Sequence, residues 1–456
     1  MSNSLFGINQ INKELLFTID DEGLLHQIYG KFPQEIDRLK RAYSISDKHI
    51  THPSKPSPSQ ILFGTQYEEV NRTLVSVLSL RWIYRDQYEV FTRTQPSPVV
   101  LTRPSFDWVR AVFMKRLECP EDLYALLVYI VINDLGKDPQ LATDYLFKTG
   151  EDISSLNHDI ILLKAVKAGL VPSVDSLSQR HKEEIIRGIQ LGAEFNPGQL
   201  AQSENATACL FSLVRMRGRE EEFRFHFMQQ LLDISGAAGH EDWTCAKKLI
   251  QPIAEAYRNV YEVAMGIISD DQGLREAYDV ILVRRCEMLH RNGFRSLHVT
   301  QPEDRAMMRL LCMGGVSDAV LAGVYWSAWE MLDHRTKGNL VHSLNVDGSV
   351  AEPAIQPTYY PAMLAQGLRG AAELSREEQV RRLQSMLRYL SRVMASTEGQ
   401  DGQAVVIERS VLWVVKDTVQ SQAFQDDPTV LDRTAVPRSA IAVPALRREI
   451  SPPTFP

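Results

Sequence analysis

The feature that most constrains this chain is a run of ten residues, Leu123 to Ile132, that is apolar nearly all round and stops abruptly at Asn133-Asp134. A segment without a polar face has to be wrapped by other elements on every side, and a buried helix or a buried strand meets that demand. Its length and the Pro120-Glu121-Asp122 start favour helix. At ten residues it is too short to cross a bilayer. The chain has 456 residues, 44% of them hydrophobic, which is enough material for the wrapping.

The surrounding text supplies helices. Tyr67 to Tyr88 carries Val70, Leu74, Val77, Leu78 and Trp82 three and four positions apart, which is one apolar face. The same period recurs in 159–168, 179–191, 220–234, 243–266, 273–292, 304–313 and 317–333, and no strand ladder separates these segments. Arg376 to Ala395 is amphipathic, with Val380, Leu383, Met386, Leu387, Leu390 and Val393 on one stripe. Ser105 is placed to cap a helix from Phe106 to Leu117. The pattern predicts an all-α multi-helix bundle. Residues 1–60 read as an N-terminal segment with a linker rich in proline (Pro53, Pro56, Pro58), and 61–395 as one helical core domain. Residues 396–424 form a terminal element, either one helix or two short strands, and 425–456 a Pro-rich tail expected to be disordered.

Charge and cysteine usage remove whole classes of function. With 50 Lys and Arg against 57 Asp and Glu, the net charge of −7 offers no field for a phosphate backbone, so nucleic acid is not an expected partner. Cys119, Cys209, Cys245, Cys286 and Cys312 are odd in number and scattered, without a CxxC pair, which suggests neither a disulfide framework nor a thiolate zinc site. The first residues lack a basic region followed by an apolar one, so the expectation is a cytoplasmic protein with no membrane span. Sequons at Asn71-Arg72-Thr73 and Asn205-Ala206-Thr207 carry no weight in that compartment.

Chemistry concentrates where the apolar run ends, in Val131-Ile132-Asn133-Asp134-Leu135-Gly136-Lys137-Asp138-Pro139. A carboxylate is held there at the mouth of an apolar wall. Asn133-Asp134-Leu135-Gly136-Lys137 resembles the His-Asp-Leu/Ile-Gly-Lys signature of the HD-domain superfamily, helical proteins that include metal-dependent phosphohydrolases and di-iron oxygenases such as inositol oxygenase. The resemblance implies an HD-like core and a divalent metal held by Asp134, His158 and Asp233, the last two matched by residue type and chain order, with Asp159 and His226 adding to the set. His181 and His240 are further imidazoles. Asn133 stands where the family has histidine, and Phe106 to Leu117 contains no histidine for the first ligand. Hard oxygen donors with one or two imidazoles suit Fe, Mn or Mg, which would activate water and polarise an oxygen. Asp134, His158 and Lys137 are the candidate catalytic groups.

Each residue also has a structural reading. Gly136 and Lys137 suit a helix C-terminal cap, the glycine left-handed and the lysine facing the negative helix end. Asn157 or Asp159 suits an N-cap, Asp233 a loop carboxylate, and His226 a packed core histidine. Gly314-Gly315 lacks the P-loop lysine and reads as a turn between helices. Tyr325, Trp326, Trp329 and Tyr359-Tyr360 suit either the core or an aromatic wall for an apolar ligand. Three functions follow: a metal-assisted hydrolase or oxygenase of a small molecule; a metal-free biosynthetic cyclase, isomerase or lyase on an apolar substrate, with Asp134 or His158 as acid or base; and a noncatalytic helical binding or scaffold protein.

Overall fold

The apolar run needs walls, and the sequence provides them as helices. The computed structural model describes residues 18–44, 56–117, 119–370, 373–395 and 404–444. The extreme N-terminus, most of the Pro-rich linker and the last part of the tail lie outside them. The architecture is predominantly α-helical, with one three-stranded sheet. Contacts divide the stretch expected to be one core, 61–395, between two units. One comprises the chain up to Ala193 together with Gly218–Tyr261, the other Glu194–Arg217 and everything from Glu262 onward.

In the first unit the longer helices are α1 (Asp21–Lys31), α2 (Pro33–Leu39), α3 (Pro58–Phe63), α4 (Glu68–Tyr84), α5 (Arg103–Met114), α6 (Pro120–Ile132), α7 (Pro139–Thr149), α8 (His158–Lys167), α9 (Gln179–Glu194) and α10 (Glu220–Gly236). The apolar run is α6, with Pro120 in its first turn and every residue from Leu123 to Ile132 buried. Each of its large aliphatic side chains contributes roughly 1.5–3 kcal/mol on leaving water. Helices α2, α4 and α10 pack against it. The tightest crossing is α4 on α10: a Cβ at Gly236 would lie 2.2 Å from Ser76 Oγ and 2.3 Å from the Arg72 carbonyl oxygen, and one at Gly239 would meet the Asn71 carbonyl oxygen at 2.6 Å. Thr102, not Ser105, caps α5, because Pro104 fits the first turn, where no intrahelical amide bond is required. Ser57 and Gln60 form a capping box for α3, so helix begins inside the Pro-rich stretch.

In the second unit α11 (Leu274–Arg291), α12 (Pro302–Met313), α13 (Ala319–Glu330), α14 (His334–Asn345), α15 (Tyr360–Gly367), α16 (Arg376–Ala395) and α17 (Leu412–Val419) accompany strands β1 (Ala354–Gln356), β2 (Ala404–Arg409) and β3 (Ser439–Pro444). The predicted α16 stripe is buried against α13, α14 and α15. Strand β2 is central, parallel to β1 with Ala354 beside Val406 and antiparallel to β3 with Arg409 beside Ser439. Residues 404–419 are therefore one strand followed by one helix. The tail is structured to Pro444, through a 3₁₀ turn at Pro428–Arg433 and then β3. Its partners are tertiary: Arg388 pairs with Asp432 at 3.0 Å, Ser385 Oγ donates to the Pro428 carbonyl, and Leu431 is buried. Tyr325, Trp329 and Tyr360 fill core rather than line a wall, and Trp326 lies under the Arg295 guanidinium. Gly315 turns the chain after α12 in a left-handed conformation. No helix among the described residues is long and apolar enough to cross a membrane.

One buried acid in this unit is held protonated. Glu204 accepts a hydrogen bond from the Tyr359 amide, and burial pushes its carboxyl up to about 8. The folded form thus binds a proton that the unfolded chain releases above its ordinary value of about 4.3, so stability falls as pH rises from that value through the folded one. Urea midpoints should decline between pH 5 and pH 8, and Glu204→Gln should flatten that decline by a few kcal/mol. Gly236→Ala should cost about 1–3 kcal/mol in the same assay, because its methyl would force α4 and α10 apart; an unchanged midpoint would contradict the close crossing.

Candidate functional site

Where α6 stops, the chain turns through a 3₁₀ segment, Leu135–Lys137, before Asp138 caps α7. Gly136 is not the left-handed cap expected from the sequence, since its φ is not positive. Its lack of a side chain serves close approach: a Cβ there would lie 1.9 Å from the His158 carbonyl oxygen. This seats the first turn of α8, capped by Asn157 through the Asp159 amide at 2.9 Å, on the turn that carries Asp134 and Lys137. The α4–α10 crossing brings Glu69 and Arg72 from one helix and Asp233 from the other to the same place.

The result is a charged cluster, buried at one end and partly exposed at the other. Lys137 Nζ lies 2.9 Å from Asp134 Oδ1 and 3.0 Å from Glu69 Oε2. Arg72 lies 3.3 Å from Glu69 Oε1 and 3.5 Å from Asp233 Oδ1. Glu69, Asp134 and Lys137 are buried and form the floor. Asp233 keeps 34% of its side-chain surface although protein surrounds it deeply, and with His158 and Asp159 it forms the rim.

The environments separate the carboxyl groups. Burial raises Glu69, and neighbouring Asp134 raises it further. Burial opposes charge on Asp134 too, but Lys137 and Arg72 outweigh it and hold Asp134 well below the usual carboxylate range. Of the two, Glu69 is therefore the first to take a proton. Burial also raises Asp233, against the pull of Arg72. Despite burial, Asp134 pushes Lys137 upward, and Asp233, Asp134 and Glu69 do the same for Arg72, so both cations stay charged.

Asp134, Lys137 and Asp233 thus meet, with His158 and Asp159 beside them. His226 does not join them. Its Nδ1 pairs with Tyr129 Oη at 2.8 Å, its Nε2 is buried without a partner, and burial depresses it to about 3. Glu69 and Arg72 were missed in the sequence. They lie on α4, and the available signal was a Glu-x-x-Arg pair inside a helix otherwise buried almost throughout.

The donor set does not fit the divalent ion that the HD resemblance implies. The space between the carboxylates is taken by an ammonium and a guanidinium, and the imidazole of His158 lies at the edge, beside Asp159. Among the described residues, the ligand-type atoms that converge within 4.8 Å belong to Asp122, His181 and Glu184, where Arg116 already bridges both carboxylates.

A family model described as a family of unknown function, DUF6829, matches residues 25–431. The chain belongs to the DUF6829 family. No curated protein and no solved structure matches it. The matched span of this DUF6829 chain contains the whole charged cluster, Glu69 to Asp233. Lys137→Met should destabilise the DUF6829 fold by about 3–5 kcal/mol, because Asp134 and Glu69 lose their shared cation while staying buried. A urea midpoint within experimental error of the parent would show that the ammonium is not what holds the floor.

Proposed function

We propose that this chain is a metal-independent enzyme that moves a proton on a small polar molecule, of the lyase, isomerase or cyclase type. The observation that supports it is the divergence of three carboxyl groups in one cluster: Glu69 and Asp233 driven up, Asp134 driven down, around two cations fixed in the charged state. Environments that push neighbouring acids apart are how a site assigns a proton donor and a proton acceptor.

In this reading Asp233 is the base. It is solvent-reached, and its raised pKa brings it toward the range where proton transfer is efficient. Arg72 faces it and steadies the negative charge left on the substrate, and Arg72 Nε has no hydrogen-bond partner of its own. Asp134 is too acidic to serve as the base. With Lys137 and Glu69 it fixes the floor and sets the field. His158, at the rim, is placed to return the proton. Charge around the cluster favours a polar substrate over the apolar one expected from the aromatic residues, of which Tyr325, Trp329 and Tyr360 are core.

The test is consumption of components of a cell-metabolite extract by purified protein, followed by mass spectrometry with and without EDTA. Turnover should persist in chelator and fall about 10²–10⁴-fold in Asp233→Asn. For the component identified, kcat/KM should rise with pH through a midpoint above the ordinary aspartate value. Loss of turnover in EDTA with recovery on adding Mn²⁺ would overturn the reading in favour of a metal-assisted reaction.

A further inference from the structure

A second constellation in the first unit plays no part in the acid–base site. Ser178 precedes the first turn of α9, and its Oγ lies 3.0 Å from His181 Nδ1. The opposite ring nitrogen, His181 Nε2, lies 2.8 Å from Asp122 Oδ1 in the first turn of α6. Asp122 and His181 are buried, while Ser178 is exposed.

The hydrogen bonds fix the proton positions. Burial works against charge on Asp122, but bonds from Cys119 and His181 and the charge of Arg116 hold its carboxyl below the usual range. An ionised Asp122 accepts, so His181 Nε2 carries the ring proton and Nδ1 presents its lone pair to the serine hydroxyl. Cys119 Sγ at 2.9 Å and Arg116 at 3.2 Å also hold the carboxylate in place. A simple helix cap would need only the bond from the His181 amide to Ser178 Oγ. That contact is present at 3.4 Å, and the contact to the ring is shorter. The amides of Gln179 and Arg180, in the first turn of α9, are beyond the reach of any intrahelical carbonyl and directly follow Ser178 in the chain.

We propose that Ser178, His181 and Asp122 form a nucleophile, base and orienting carboxylate that hydrolyse small carboxylic esters. Ser178 Oγ bonds to the ester carbonyl carbon as its proton passes to His181 Nδ1, and the carbonyl oxygen takes the negative charge beside the first-turn amides of α9. The bond to the alcohol oxygen then breaks, and that oxygen takes the proton from His181. Water repeats the sequence on the acyl-serine, releasing the acid and restoring Ser178. Asp122 touches no substrate and acts through His181 as a positioning residue.

The test uses the full chain with a fluorophosphonate probe and with p-nitrophenyl acetate. Peptide mapping should place the probe on Ser178. His181→Gln and Asp122→Asn should slow labelling about 10²–10⁴-fold. Ser178→Asn keeps a helix-capping side chain and should retain the thermal midpoint while abolishing both labelling and ester cleavage. Asp233→Asn should label at the parental rate, so failure at this site and failure of the acid–base reading are distinguishable. Ser178 left unlabelled by the probe, or labelled at the same rate in His181→Gln, overturns the proposal. Should His181→Gln not fold, labelling at the parental rate in Asp122→Asn overturns it equally.

Discussion

The ammonium of Lys137, held between Asp134 and Glu69 where an apolar helix ends, is the interaction on which the first unit depends. An α6 of this composition can exist only inside the unit, so its end delivers polar groups into the interior, where an unpaired charge is costly. One short 3₁₀ turn resolves the conflict by bringing the cation back to the carboxylate three positions earlier, and α4 supplies the second carboxylate. Arg72 then ties α4 to α10 through Asp233. The charged floor and the helix crossing are one arrangement, and they keep cations where a metal would otherwise be sought.

Much of the fold was legible because it follows from periodicity. The α6 run, the helical faces and the α16 stripe are local patterns whose burial follows from their spacing. Asn157 as a cap and the Gly314-Gly315 turn are equally local. What the sequence hid is tertiary. The strand at Ala404–Arg409 shows no alternation strong enough to announce itself, β3 pairs with it, and the turn before β3 is held by contacts such as Arg388 with Asp432. The division into two units is also invisible in the text, because segment 194–217 leaves the first unit and the chain then returns to it.

The candidate site was half legible. Asp134 and Lys137 were marked by an abrupt change from apolar to charged sequence, and Asp233, His158 and Asp159 reach the same cluster. Glu69 and Arg72 sit on a helix whose apolar spacing drew attention away from its charges, and Arg72 lay inside a sequon set aside for other reasons. His181 entered only as a further imidazole. Its bonds to Asp122 and Ser178 join α6 and α9, elements far apart in the chain.

The protonated Glu204 makes folding of the second unit a proton-uptake reaction near neutrality. Heat absorbed on unfolding therefore includes the ionisation enthalpy of whichever buffer accepts the released proton. Two calorimetric scans at one pH, in phosphate and in Tris, report different enthalpies for the same structural change, and the gap between them measures the proton count.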